Sequence, residues 1–358
     1  MAELDRQTAF SGTRDVAERL RFDAERLEAY LRDRIAGFAG PIAVSQFKGG
    51  QSNPTYLVET PLRRYALRRK PPGKLLPSAH AVDREYRVIS ALFSQGFPVA
   101  EPLVYCADED VIGTAFFVMA YVGGRVFWEP QMPASNAAER AQIYDAMNAT
   151  LARLHSFDPV KIGLGDYGRG ENYVARQVER WSKQYRASET ARIEDMERLI
   201  GWLPAHLPPR APPRLVHGDY RLDNMIIASD APKISAVLDW ELSTLGDPLA
   251  DFSYHLMAWH MPHSQAGTGS LIGFDLAAVG IPTLADYVDA YRARTGLDPR
   301  PYLAVYFAYN FFRLAAIMQG IAGRVRDGTA TSAYAAAKAE LVPPLAAKGW
   351  EFARQAGA

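Results

Sequence analysis

Two stretches decide how this chain is read: Val216-His217-Gly218-Asp219-Tyr220-Arg221-Leu222-Asp223-Asn224 and, beginning thirteen residues after Asn224, Val237-Leu238-Asp239-Trp240-Glu241. An aspartate, an asparagine five residues on and a second aspartate at the end of a short hairpin form a set suited to phosphoryl transfer. One carboxylate can orient an attacking hydroxyl and accept its proton. The amide oxygen of Asn224 and the carboxylate of Asp239 are hard donors able to hold Mg²⁺ against a triphosphate. Arg221 could reach the transferring phosphate, where positive charge offsets the spreading negative charge. A turn capped by His217-Gly218-Asp219 would explain any one of these residues, but not the whole set in this order.

Outward from this segment the pattern differs on its two sides. Upstream, IAVSQF (42–47), TYLVET (55–60), RYALRR (64–69), PLVYCAD (102–108) and TAFFVMAYV (114–122) are short strand-like runs broken by Gly, Asn and Pro. Residues 1–40 read as helical, with Val16, Leu20, Leu27 and Leu31 at helical spacing. A helix is expected at Ala79–Gln95 with Ser78 as its N-cap. Gly123-Gly124 ends the strand pattern, and the chain then turns mainly helical. NMIIAS (224–229) and ISAVLDW (234–240) are two further short strands. The division expected is an extension and strand-rich lobe over 1–121 and a larger helical lobe over 122–358.

Composition narrows the function. The 358 residues are 48% apolar and 22% charged, ordinary for a globular chain and long enough for two cores. Forty Lys and Arg balance forty Asp and Glu, so a nucleic-acid partner is not expected. A single cysteine, Cys106, allows no internal disulfide and no cysteine-rich zinc site; it reads as a small buried hydrophobe. The charged N-terminus lacks the apolar run of a signal peptide, which points to the cytoplasm. Tyr302–Gly323 is apolar enough to tempt a membrane reading, but Asn310, Arg313 and Gln319 interrupt it, so a buried core helix is expected instead. His255, His260 and His263 lack metal-ligand spacing, and GTGSLIG (267–273) follows no strand and reads as a loop.

With these residues on the page, the chain resembles the aminoglycoside phosphotransferase, or choline-kinase-like, family of small-molecule kinases. The HGDxxxxN pattern of His217–Asn224 carries the resemblance, with Asp239 standing where such kinases keep a metal-binding aspartate. It implies an α+β, bilobal, protein-kinase-like fold with a small antiparallel-sheet N-lobe, a helical C-lobe and ATP in the cleft between them. Asp219 would be the catalytic base, and Asn224 and Asp239 the Mg²⁺ ligands. The loop Gly49, Gly50, Gln51, Ser52 and Asn53 lies where kinases cover the phosphates, although a tight hairpin turn explains it as well. Arg68 stands at the place of the usual strand lysine, with Glu85 its expected partner and Asp83 the alternative; Arg69 should point to solvent. Backbone groups at Ala120 and Val122 would meet adenine, beside Met119. Asp247 is expected to brace the catalytic loop.

The acceptor is less constrained. Arg176, Arg180 and Lys183 recur along a probable helix over 172–186, with Tyr173, Trp181 and Tyr185 interleaved. A basic stripe of this kind suits an anionic acceptor, while pairing with Glu179 would make it a solvated face. Tyr306, Asn310 and Arg313 share one side of a later apolar helix and must find partners or line a pocket. Two segments, LRRKPPGKLLPSAHAVDREYRVI and ENYVARQVERWSKQYRASET, are similar to the phosphotransferase module fused to some acyl-CoA dehydrogenases. That similarity implies a hydroxy-acid or hydroxyacyl-CoA acceptor. A nucleotide-binding pseudoenzyme or interaction module linked to acyl-CoA metabolism is the alternative, against which the intact Asp219, Asn224 and Asp239 argue. The absence of DFG and APE segments argues against a protein substrate.

Overall fold

The computed structural model describes residues 6–49, 53–73, 80–263, 269–328 and 335–358. Gly50, Gln51, Ser52, Ser78 and the start of the 267–273 loop lie outside these residues. The chain divides into two compact units, one of Met1–Phe127, Val160–Gly165 and Asp223–Ser243, the other of Trp128–Pro159, Asp166–Leu222 and Thr244–Ala358. The first unit is therefore not one continuous stretch: residues from the second half of the chain return to complete it.

In the first unit a short helix α1 (Arg6–Phe10) and strand β1 (Thr13–Arg14) precede α2 (Ala24–Arg34). The continuous helical region expected over 1–40 is thus replaced by two helices, a strand and a single 3₁₀ turn. Strands β2 (Ala43–Phe47), β3 (Thr55–Glu59) and β4 (Arg64–Arg69) follow, then α3 (Val82–Ser94), β5 (Pro102–Cys106), α4 (Glu109–Ile112) and β6 (Phe116–Ala120). α3 starts three residues later than expected, with Ala81 at the N-cap and no side-chain cap bond. The six strands form one antiparallel sheet in the order β1-β2-β3-β4-β6-β5.

Strand alternation explains what this sheet presents. Tyr65 and Leu67 of β4 and Phe116 and Val118 of β6 join Leu27, Leu31 and Ile35 in one core layer. Ala66 and Arg68 face the other way, the side on which Tyr86 of α3 packs against Phe117 of β6 with ring centroids 6.0 Å apart. Because one face of the sheet lies under α2 and the other under α3, alternation does not separate buried from solvated positions. Arg69, expected in solvent, is 2% exposed. Its guanidinium donates to Ile112 O (2.9 Å) and Leu20 O (3.3 Å) and lies over the Phe22 ring.

The second unit contains α5 (Ala137–Ser156), α6 (Tyr173–Ser188), α7 (Glu194–Trp202) and strand β7 (Arg214–Val216). The chain then gives the hairpin β8 (Met225–Ile227) and β9 (Ile234–Val237) to the first unit. It returns through β10 (Thr244–Gly246), which pairs with β7. The helices α8 (Pro248–His255), α9 (Leu276–Val279), α10 (Leu284–Thr295), α11 (Leu303–Arg326), α12 (Ala335–Ala339) and α13 (Val342–Gln355) complete it. α11 is buried along most of its length and packs against α6, α8 and α13. Its apolar stretch is therefore core, and no helix among the described residues is long and apolar enough to cross a membrane.

Candidate active site

The first part of the candidate catalytic loop, His217–Leu222, lies in the second unit, directly after β7. Gly218 takes φ +85°, a left-handed conformation that suits a residue without Cβ. The turn is closed by Asp219 N donating to His217 Nδ1 at 3.1 Å, with the His217 ring fully buried. Asp251, one turn into α8, accepts from His217 N and Gly218 N, both at 2.8 Å, and from the His155 ring at 3.1 Å. Asp247, the expected brace, instead caps α8, accepting from Leu249 N at 2.8 Å and from the Tyr306 hydroxyl at 2.9 Å. Asp251 thus takes the bracing part, because its carboxylate and not that of Asp247 meets the loop amides.

The Asp219 carboxylate retains 23% of its side-chain exposure. Its Oδ1 accepts from the Tyr254 hydroxyl at 2.6 Å and lies 3.6 Å from Arg221 Nε. Burial raises its proton affinity, but Arg221, the Tyr254 donor, His217 and Arg313 outweigh that and hold Asp219 below the usual carboxylate range. Tyr306, Asn310 and Arg313, weighed as acceptor residues, all contact loop or α8 atoms. Asn310 Nδ2 donates to Ala250 O and Ser253 Oγ, and Arg313 Nη2 to Gly218 O at 2.7 Å. They support the loop from beneath.

The candidates for nucleotide and metal lie in the first unit. The register Met225↔Val237 sets Asn224 opposite Leu238, whose N–H donates to Asn224 O at 2.8 Å, one residue from Asp239. The hairpin therefore brings Asn224 and Asp239 to the same end. Asp239 has φ +62°, ψ +62°, uncommon for a residue with a Cβ, and opens a 3₁₀ turn. Arg68 pairs through Nε with Glu85 Oε2 (2.9 Å) and through Nη2 with Asp239 Oδ1 (2.7 Å) and Glu241 Oε2 (3.5 Å). Burial disfavours the Arg68 charge, but the three carboxylates overcome this and raise its proton affinity. Burial also pushes Glu85 up to about 7, with Arg68 opposing. Asn53 faces inward, donating to Glu85 Oε1 at 2.7 Å while its oxygen meets the His80 ring at 2.8 Å.

Gly49 forms a bend after β2. Met119 lies within β6, opposite Ala66, and Ala120 N–H is committed to Glu101 O at 2.9 Å, so that donor is not available to adenine. Val122 follows the strand and is partly buried. On α6 the aromatics Tyr173, Trp181 and Tyr185 are buried, whereas Arg180 and Lys183 are exposed and Arg176 half-buried. Lys183 pairs with Glu179 at 2.6 Å, and Arg176 donates to Arg169 O. The three histidines do not converge: His255 meets the Tyr287 hydroxyl, His260 packs edge-on to Phe307 and Phe352, and His263 contacts Ile272 O. No group of three or more metal-ligating His, Cys, Asp or Glu occurs among the described residues. Magnesium in a nucleotide site needs fewer, because it keeps waters and takes phosphate oxygens; one carboxylate and one amide oxygen at the hairpin end fit that demand.

Residues 43–299 match the model of the phosphotransferase enzyme family. The chain belongs to this family. It is also similar to mouse acyl-CoA dehydrogenase family member 10 and chicken family member 11, each 43% identical across 96% of this chain. The chain spans only 32% and 45% of those proteins, under half of either. A crystal structure from Ralstonia eutropha JMP134, a candidate aminoglycoside phosphotransferase, is 48% identical with a TM-score of 0.85, covering 94% of this chain and 99% of that one. Spectinomycin phosphotransferase, solved with ADP and spectinomycin, shares the fold at 12% identity and a TM-score of 0.60, covering 93% of this chain and 98% of that one. These findings bear out the phosphotransferase and the α+β kinase-like fold, a sheet-built first unit and a larger helical second one, that the catalytic-loop pattern implied.

Tyr254 was not singled out in the sequence; Asp251 was noted with Asp247 in one segment, but the bracing part was given to Asp247. All three lie in Gly246-Asp247-Pro248-Leu249-Ala250-Asp251-Phe252-Ser253-Tyr254. An N-cap aspartate followed by proline announces the helix, and the three-residue spacing of Asp251 and Tyr254 sets them on one face of it.

Proposed function

We propose that this phosphotransferase uses Mg·ATP to phosphorylate a hydroxyl group of a small molecule, with Asp219 as the base. The observation that carries this is the Asp219 carboxylate, kept ionised by cationic and hydroxyl neighbours on a loop whose amides Asp251 grips. Asp219 takes the acceptor's proton as its oxygen bonds to the γ-phosphorus; the bond from that phosphorus to the bridging oxygen breaks, and ADP leaves. Arg221 beside Asp219 offsets charge on the transferring group. Asn224 and Asp239 would hold magnesium, which neutralises phosphate charge when bound. Arg68 would bind the α- and β-phosphates, giving up its contact with Asp239 to do so.

For the acceptor we infer a hydroxy acid or hydroxyacyl-CoA. The kinship with proteins named as acyl-CoA dehydrogenase family members supports this; α6 does not add to it, since Lys183 is paired with Glu179 and Arg176 with a backbone carbonyl. The test is transfer of labelled γ-phosphate to a panel of hydroxy acids, hydroxyacyl-CoA thioesters, choline and aminoglycosides. One acyl or acid acceptor should be labelled by the wild type and not by Asp219→Asn, with a loss of at least about 100-fold. Preference for a cationic acceptor would overturn the substrate class. Equal turnover by the variant would overturn the base assignment.

A further inference from the structure

The Tyr254 hydroxyl lies 2.6 Å from Asp219 Oδ1, shorter than most neutral hydroxyl contacts and typical of donation to a carboxylate. Tyr254 is 7% exposed, so water competes little for its hydroxyl. Its ring is held in turn: the Arg313 guanidinium lies 5.0 Å from the ring centroid and donates to Gly218 O at 2.7 Å. One turn earlier on α8, Asp251 binds the His217 and Gly218 amides. α8 therefore grips the loop twice, at its backbone through Asp251 and at its reactive side chain through Tyr254.

We infer that Tyr254 is a positioning residue, whose hydroxyl fixes the Asp219 carboxylate in the orientation from which it accepts the proton. The inference rests on the reading of Asp219 as base and adds the residue that aims it. A carboxylate on a single χ1–χ2 pair of bonds otherwise samples several rotamers, and misplacement by an ångström costs turnover heavily. The groups facing Asp219 are Arg221 and His217 from the loop, Tyr254 from α8 and Arg313 from α11. Of these, Tyr254 donates the 2.6 Å hydroxyl hydrogen bond to Oδ1. Removing its hydroxyl leaves the charges in place and should raise the proton affinity of Asp219.

The contact can be read without knowing the acceptor. Carbon-13 label in aspartate side chains gives an NMR titration, and Asp219 is assigned as the resonance lost in Asp219→Asn. In Tyr254→Phe the Asp219 midpoint should move up by about one pH unit. Tyr254→3-fluorotyrosine, with a more acidic hydroxyl, should move it down. A packing role alone predicts no such opposite movements. With water as acceptor, Tyr254→Phe should lower kcat for Mg·ATP hydrolysis about tenfold and leave KM for Mg·ATP unchanged. An unmoved midpoint in both variants would overturn the inference, and circular dichroism of each variant establishes that the fold is intact. Undiminished hydrolysis by Asp219→Asn would instead sink the base assignment, a result independent of any change at position 254.

Discussion

His255 shows how a buried residue can be silent at neutral pH and costly in acid. Burial holds its pKa down at about 4, with Asp251 and a backbone contact only partly opposing. The unfolded chain takes up a proton on this ring near pH 6.5, and the folded chain does so only near 4. The folded pKa is depressed, so the stability is fully present above 6.5 and is lost as pH falls towards 4. The difference corresponds to roughly 3 kcal/mol for this one ring. His255→Gln keeps a group able to meet the Tyr287 hydroxyl but cannot titrate. Urea denaturation at pH 7 and pH 4 should show the wild type losing about 2–3 kcal/mol more than the variant between the two. Equal losses would mean that the ring is protonated in the folded protein. Several single-residue features were legible in the sequence for a physical reason, since Asp219, Asn224 and Asp239 belong to a fixed order along the chain. Arg69 was not, because alternation reveals which side of a sheet a residue faces and not whether that side is covered.

At the scale of elements, α8 holds the loop that carries the proposed base. A signal for its start stands in Asp247-Pro248, an N-cap followed by the residue best suited to the first helical turn, but it went unread. Its partner strands carry no such signal: β7 and β10 have three residues each, too few to show alternation, and β7 ends a proline-rich run. The division of work between Asp247 and Asp251 depends on which carboxylate the loop amides meet, which only the packing of β7 beside α8 decides. Asp251 accepts three hydrogen bonds on two buried oxygens. In Asp251→Asn one of those oxygens becomes an amide NH2, a donor that cannot accept from the N–H or ring nitrogen it then faces. The expected loss is about 2–4 kcal/mol in chemical denaturation, with phosphotransfer reduced because the loop amides are released. A change below about 0.5 kcal/mol, the range of an ordinary surface substitution, would show that the loop holds its shape without Asp251.

Across the whole molecule, the groups proposed for nucleotide and for proton transfer belong to different compact units. Arg68, Glu85, Asn224 and Asp239 are in the first, and Asp219 and Arg221 in the second. The chain crosses between them at Leu222–Asp223, inside the single motif that made the family recognisable. A continuous sequence pattern therefore conceals a discontinuous unit, and a cut after residue 121 does not by itself show that 223–243 join the first unit. This segregation makes binding and chemistry separable by mutation. Mg·ADP, which cannot react, should stabilise the protein against unfolding by about 2.7 kcal/mol at one hundred times its Kd. Asp219→Asn should keep that gain, since its carboxylate serves the acceptor. Asp239→Ala should lose most of it, and chelating the magnesium should produce the same loss in the wild type but little further loss in the variant. Thermal unfolding with and without Mg·ADP reads all four conditions. If Asp239→Ala retained the full gain, the metal would be held elsewhere. If Asp219→Asn lost it, Asp219 would serve the nucleotide as well as the acceptor, and the two units would not divide the work in this way.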